Sequence, residues 1–118
     1  MAVVKRKFSS STDGMGIKVV ATTTVGTAIH TAVAGTTDGN YDEIYIYAYN
    51  GHTADVVLTI EFGAATVPDN NIIINIPYKA GKILVVPGFI LQNERTVKAF
   101  ASVANVVTIT GYVNRMTD

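Results

Sequence analysis

Short runs in which apolar side chains occupy every second position dominate this chain, and they restrict its fold more than any other feature. Residues 43–49 read EIYIYAY, which places Ile44, Ile46 and Ala48 on one face of a strand and three tyrosines on the other. No helix-length stretch has a sustained apolar period of 3.6 residues. The sequence therefore predicts an all-β protein.

The next run, residues 55–62, alternates in the same way, with aliphatic side chains on one face. Asn50-Gly51 lies between the two runs, and this dipeptide favours the tight turns that need positive φ angles. We therefore expect residues 41–62 to form an antiparallel hairpin.

Further strands are separated by Gly, Pro, Asn and Asp at regular spacing. The predicted strands are residues 3–8, 17–25, 28–34, 43–49, 55–62, 72–76, 82–86, 89–91, 96–103 and 106–115. The run at 72–76 is apolar on both faces and is expected to be covered on both sides, and Pro87-Gly88 is expected to break a strand. The pattern predicts one antiparallel β-sandwich over residues 1–118. A jelly roll is expected first and an immunoglobulin-like sandwich second. Residues 1–16 are read as an N-terminal arm and loop.

Side chains that could perform chemistry are few. The chain has no Cys and only two His, His30 and His52, which are read as a surface or interface group and a turn residue. Residues 9–11 are three serines near Asp13, but no known spacing joins them to His30 as a catalytic triad. The sequence therefore predicts no enzyme, no catalytic residue, no metal and no cofactor.

The acidic residues lead to the same interpretation. Asp42 and Glu43 are adjacent, so in a strand they point to opposite faces and cannot share a proton. Asp38, Asn40 and Asp42 have the spacing that begins a calcium loop, but the later bidentate Glu is missing. We therefore expect an ordinary solvated loop at this position.

Charge and hydropathy exclude two classes of partner. Only 15% of residues are charged, the formal net charge is +0, and no apolar run is long enough to cross a membrane. The single basic cluster, Lys5-Arg6-Lys7 followed by Phe8, is too small for a nucleic-acid footprint and is either a solvated tail or a docking arm. Neither nucleic acid nor membrane is an expected partner.

The stripe of Tyr45, Tyr47 and Tyr49 is the strongest candidate for a binding surface. Tyrosine is enriched at protein interfaces because its ring buries area while its hydroxyl stays wet. We expect these side chains to be half-buried at a subunit contact. Plain core packing and carbohydrate stacking are the alternatives.

Three segments carry a resemblance to a known class of protein. They are AYNGHTADVVLTIEFG at 48–63, IPYKAGKILVVPGFIL at 76–91 and VKAFASVANVVTITGYVNRM at 97–116. In style and order they resemble small head proteins of tailed bacteriophages, over the C-terminal two-thirds of the chain. Residues 1–35 have no comparable feature.

The resemblance implies a capsid decoration, or cement, protein on the virion surface, made in the host cytoplasm. Such a protein bridges subunits of the major capsid protein and assembles as a homotrimer, so that three weak contacts add up to firm binding. The basic arm of Lys5, Arg6, Lys7 and Phe8 would then reach an acidic capsid surface. The alternative is a tail, fibre or baseplate module that binds host glycans or another virion protein.

Overall fold

Nine strands pair into two antiparallel sheets, and the computed structural model, which describes residues 1–118, contains no helix. The strands are β1 Ala2–Arg6, β2 Ile17–Lys18, β3 Thr27–Thr31, β4 Tyr41–Asn50, β5 Val56–Gly63, β6 Asn71–Ile76, β7 Ile83–Leu91, β8 Thr96–Ala101 and β9 Val107–Thr117. The predicted antiparallel β-sandwich is confirmed, and the choice between its jelly-roll and immunoglobulin-like forms stays a prediction. No helix is present that could cross a membrane.

The two sheets have different strand orders. Sheet A runs β1-β9-β4-β7, and the short β2 also pairs with β9. Sheet B runs β3-β8-β5-β6. The edge strands are therefore β1, β2 and β7 in sheet A and β3 and β6 in sheet B, while β9, β4, β8 and β5 lie inside the sheets.

The core lies between the sheets and is built from the alternating faces that the sequence predicts. Ile44, Ile46 and Ala48 of β4 are fully buried. The fully buried side chains of β5 are Val56, Leu58 and Ile60. Burying an aliphatic side chain of this size contributes about 1.5–3 kcal/mol, so these two faces are a main source of stability.

The predicted hairpin over 41–62 is wrong, because β4 and β5 lie in different sheets. The connection carries the chain from one layer to the other, so both aliphatic faces point into the same core. Asn50 holds this crossing: its amide Nδ2 donates to the carbonyls of Ala54 and Ile76, at 2.9 and 2.8 Å, and its Oδ1 accepts the His52 N–H at 2.8 Å. The Asn50 side chain therefore stabilises a crossover instead of a hairpin turn.

The predicted strand at 17–25 is mostly wrong, since β2 contains only Ile17 and Lys18. Beyond it, side chains replace the strand ladder as partners of the backbone. The N–H groups of Val20 and Ala21 donate to Thr27 Oγ1 at 3.1 and 3.0 Å. Backbone groups that find side-chain partners do not need a neighbouring strand.

Two edge strands also differ from expectation. β7 continues through Pro87, which an edge position tolerates, and its register against β4 shifts at two places. β6 is not covered on both sides, because Ile73 on its outer face is 64% exposed. The run is apolar without interruption, but Ile73 points to solvent while its neighbours Ile72 and Ile74 pack against the core.

Candidate interaction surface

The outer face of sheet A is rich in tyrosine, and four charged side chains lie on it or at its edge: Lys5, Lys18, Glu43 and Lys82. In β4 the even-numbered residues point into the core, so Tyr45, Tyr47 and Tyr49 point outward. Strand register adds their neighbours from β1, β7 and β9 to the same face. We name this surface the tyrosine face and define it as Lys5, Glu43, Tyr45, Tyr47, Tyr49, Leu84, Thr108, Thr110, Tyr112 and Asn114.

A stacked pair of rings lies at the centre of this face. Tyr45 and Tyr112 are directly opposite on β4 and β9, with ring centroids 4.9 Å apart and planes inclined by 22°. Lys5 Nζ from β1 lies 4.6 Å from the centroid of Tyr112. Cross-strand aromatic pairs and cation–π contacts each contribute about 0.5–1 kcal/mol at such sites. The rings are therefore held in place before any partner arrives.

Glu43 fixes the hydroxyl end of the stack. Its Oε1 accepts the Tyr45 hydroxyl at 2.9 Å and the Asn114 amide at 3.2 Å. Donation to this carboxylate raises the pKa of Tyr45, because loss of the proton would place two negative charges side by side. Tyr45 is therefore a neutral hydrogen-bond donor whose partner lies on the same strand.

The degree of exposure varies along the tyrosine stripe. Tyr45 and Tyr47 are half-buried by their neighbours, whereas Tyr49 is 39% exposed. Leu84 beside them is 44% exposed. The inward core of this strand belongs to its isoleucines, so plain core packing does not describe the tyrosines.

The four residues of the predicted basic arm go to different places. Lys5 lies on the tyrosine face, and Arg6 points to the opposite side of β1. Lys7 Nζ donates to the carbonyl of Ser11 at 2.9 Å. Phe8 is 1% exposed and belongs to the core, so it is not available to a partner. Residues 2–6 are paired with β9 as an edge strand of sheet A.

A glycine explains the burial of Phe8. Gly111 lies on the inward side of β9, opposite Ile46. A Cβ atom at Gly111 would collide with the carbonyl of Tyr45 and lie 2.9 Å from Cζ of Phe8. The missing side chain therefore leaves the space that the Phe8 ring fills.

A buried polar network joins the two sheets beneath the N-terminal segment. Asp42 of β4 is 0% exposed and accepts two bonds from Arg115 of β9, at 2.8 and 2.9 Å. His30 of β3 contacts the same carboxylate, with Nε2 2.6 Å from Oδ2. Donation of these two bonds to Asp42 stabilises the charged guanidinium and raises the pKa of Arg115. The Asp42 carboxylate in sheet A thus bonds to His30 in sheet B and to Arg115 on the neighbouring strand of sheet A.

Ser9 extends this network into an array with the order of a catalytic triad. The Ser9 N–H donates to His30 Nδ1 at 3.0 Å, and Ser9 Oγ lies 3.3 Å from the same atom. Since Nδ1 accepts a backbone N–H, the imidazole proton is on Nε2 and is donated to Asp42.

The environment of Ser9 favours a structural role for the array. Ser9 Oγ accepts the Thr31 N–H at 2.7 Å, so it is itself a fixed acceptor. The N–H groups of Ser10 and Ser11 donate to Ile29 and Phe8, which leaves neither of them to stabilise an oxyanion. The lone pair that a general base would use is already engaged by the backbone of Ser9.

Sequence reasoning missed this network because of a β-bulge. The register of β3 against β8 shifts between Ala28 and His30, and Ile29 and His30 are both buried. Strict alternation would send one of two neighbours outward, and a bulge removes that constraint. The interpretation of His30 as a surface or interface group is therefore wrong.

Acid should weaken the protein through Asp42. Burial raises the pKa of this carboxyl, but hydrogen bonds from Arg115 and His30 outweigh burial and lower the pKa from 3.8 to about 2. A carboxyl with a depressed pKa contributes stability above its unfolded pKa, and this stability is lost as the pH falls through the folded pKa. The window is therefore from about pH 4 down to about pH 2, and the loss is about 2 kcal/mol.

Urea unfolding at a series of pH values tests this expectation. The wild-type free energy of unfolding should fall across that window, and the Asp42→Asn protein should lack this part of the fall. An equal fall in both proteins would assign the acid sensitivity to other carboxyls.

No group of three or more His, Cys or acidic side chains is placed to hold a metal ion. Of the residues with calcium-loop spacing, Asp42 points into the core, and Asn40 Oδ1 accepts the Asp118 N–H at 2.8 Å. Asp38 is exposed at the end of the sandwich. Asp42 and Asn40 are therefore engaged by separate partners, and only the Asp38 carboxylate is free.

Comparison of the chain with protein-family models, with curated proteins and with solved structures gives no match.

Proposed function

We propose that this chain is a structural protein of a tailed-bacteriophage head, which binds outside the shell and bridges subunits of the major capsid protein. The proposal rests on the sequence resemblance, and the tyrosine face is the observation that supports it. A sheet face whose tyrosine rings are held in place, with exposed aliphatic neighbours, resembles the aromatic-rich centre of a protein interface.

The order already present in this face supports a binding role. Lys5, Tyr112, Tyr45 and Glu43 contact one another in sequence across three strands. A partner would therefore pay little conformational entropy to fix these side chains. Assembly of the chain as a homotrimer would multiply a modest contact by three and place three such faces on one symmetry axis of the shell.

Cryo-electron microscopy of particles assembled with this chain tests the location. We expect density for the sandwich on the outside of the capsid, over threefold or quasi-threefold positions. Density on the tail, with none on the head, would overturn the proposal and favour the tail, fibre or baseplate alternative.

A matched pair of variants tests the face in the same particles. Tyr49→Asp places a charge on the tyrosine face, whereas Tyr78→Asp changes a similarly exposed tyrosine in the loop after β6. Loss of a tyrosine contact that is important for binding costs about 2 kcal/mol, so capsid affinity should fall roughly thirtyfold for Tyr49→Asp. Tyr78→Asp should bind as wild type. Equal binding by both variants, with both folded by thermal unfolding, would exclude the tyrosine face as the capsid contact.

A further inference from the structure

An open groove lies at the end of the sandwich where β4 begins and β7 ends. It has a volume of about 620 Å³, within the usual range for small-molecule sites. One wall comes from Thr36 and Asp38 in the loop before β4 and from Tyr41, the first residue of β4. The other wall comes from the turn between β7 and β8, with Asn93 and Arg95. The groove therefore lies between two loops that separate strands bring together.

Hydrogen bonds hold these two loops in a fixed relation. Gln92 Nε2 donates across the gap to the carbonyls of Thr37 and Asn40, at 3.0 and 2.8 Å. Behind the groove, the Ala32 N–H donates to Arg95 O at 2.9 Å, and the Glu94 N–H donates to Val33 O at 3.1 Å. Since both walls are fixed before binding, a ligand need not order them.

The charges in the groove are balanced and unpaired. Asp38 and Arg95 line the same space, and the ion pairs of the molecule, which join Asp42 to His30 and Arg115, leave both without a charged partner. An anionic ligand would meet the Asp38 carboxylate, and a cationic ligand would meet the Arg95 guanidinium. The groove therefore favours an uncharged ligand that both donates and accepts hydrogen bonds.

Adjacent hydroxyl groups meet this requirement. A carboxylate accepts from two neighbouring donors, and a guanidinium donates to two neighbouring acceptors in a planar fork. The Tyr41 ring and the side chains of Ile90 and Leu91 supply an apolar wall for the C–H side of the same ligand. We propose that this groove binds a neutral saccharide of one or two units, held by Asp38 and Arg95 against Tyr41.

This inference does not depend on the proposed function. Tyr41 and Tyr49 lie at opposite ends of β4, about 26 Å apart at the rise of an extended strand, so groove and capsid contact can be changed separately. A capsid protein with this groove would present it at the rim of the sandwich.

Saturation-transfer NMR on the full chain with maltose, lactose and N,N′-diacetylchitobiose tests the proposal. At least one sugar should bind with a dissociation constant of about 1 mM or below, as expected for an open, preformed site. Asp38→Ala and Arg95→Ala should each weaken that binding by roughly tenfold or more, because each change removes a bidentate charged contact. Asp69→Ala and Lys18→Ala, at exposed charges outside the groove, should bind as wild type.

Several outcomes would overturn the proposal. The first is the absence of saturation transfer to all three sugars at about 10 mM, which means a dissociation constant above that concentration. The second is saturation transfer that both groove variants retain. Binding of the zwitterion glycylglycine in place of the sugars would show that the groove selects paired charges. Thermal unfolding of each variant confirms that a lost signal is not a lost fold.

Discussion

An Asp42→Ala protein should lose about 3–5 kcal/mol of unfolding free energy, which is a large part of the total for a domain of this size. The carboxylate is 0% exposed and is the shared acceptor for Arg115 and His30. Its removal leaves the His30 Nε2–H buried with no acceptor and the Arg115 guanidinium without its counter-charge. Both losses lower the free energy of unfolding.

Chemical denaturation at neutral pH measures this effect. Asp38→Ala is the matched control, because Asp38 is an exposed acid with no ion-pair partner and should change stability by about 0.5 kcal/mol or less. A loss below about 1 kcal/mol for Asp42→Ala would mean that water replaces the carboxylate and that the network does not stabilise the contact between the sheets.

Phe8→Ala should also be strongly destabilising, by about 3–5 kcal/mol. The ring is 1% exposed, fills the space over Gly111 and lies 5.9 Å from the His30 ring. Its loss would leave a cavity at the site where the N-terminal segment contacts both sheets. Val4→Ala, at an exposed apolar residue of β1, is the control and should be nearly neutral.

Phe8→Ala also distinguishes a detached N-terminal arm from an N-terminal segment that is packed into the core. If residues 1–16 act as a detached arm, Phe8→Ala will not change the midpoint of unfolding.

Because the Phe8 ring is part of the core, removal of residues 1–8 is a poor test of capsid docking by the arm. A triple change of Lys5, Arg6 and Lys7 to Gln removes the charge and leaves the core intact, so loss of capsid binding by this protein would support a role for the basic cluster.

Alternation along a strand is a local property, and for that reason it could be predicted. The inward faces of β4 and β5 were predicted correctly because each residue's side follows from the pleat alone. The pairing of β4 and β5 was predicted wrongly, since the alternation of apolar residues does not identify the neighbouring strand. Asn50-Gly51 favours a hairpin locally, but bonds from Asn50 to Ala54 and Ile76 stabilise a crossover between layers.

For the candidate interface residues, too, the sequence predicts which way a side chain points but not what it contacts. The outward position of Tyr45, Tyr47 and Tyr49 followed from the sequence, whereas the stack on Tyr112 and the contact to Lys5 depend on the order β1-β9-β4. Lys5, Arg6, Lys7 and Phe8 are consecutive in sequence, which favours their interpretation as one cluster. Strand pairing and the space over Gly111 separate them in the structure.

The sequence by itself therefore determined an all-β chain, its main strands and the faces that those strands bury. Only the tertiary structure decided that Asp42, His30 and Arg115 form one buried network and that two distant loops enclose a groove. The physical reason is that side-chain periodicity is set by backbone geometry within a few residues. Contacts between strands depend on which sheet each strand joins and on single bulges such as the one at His30.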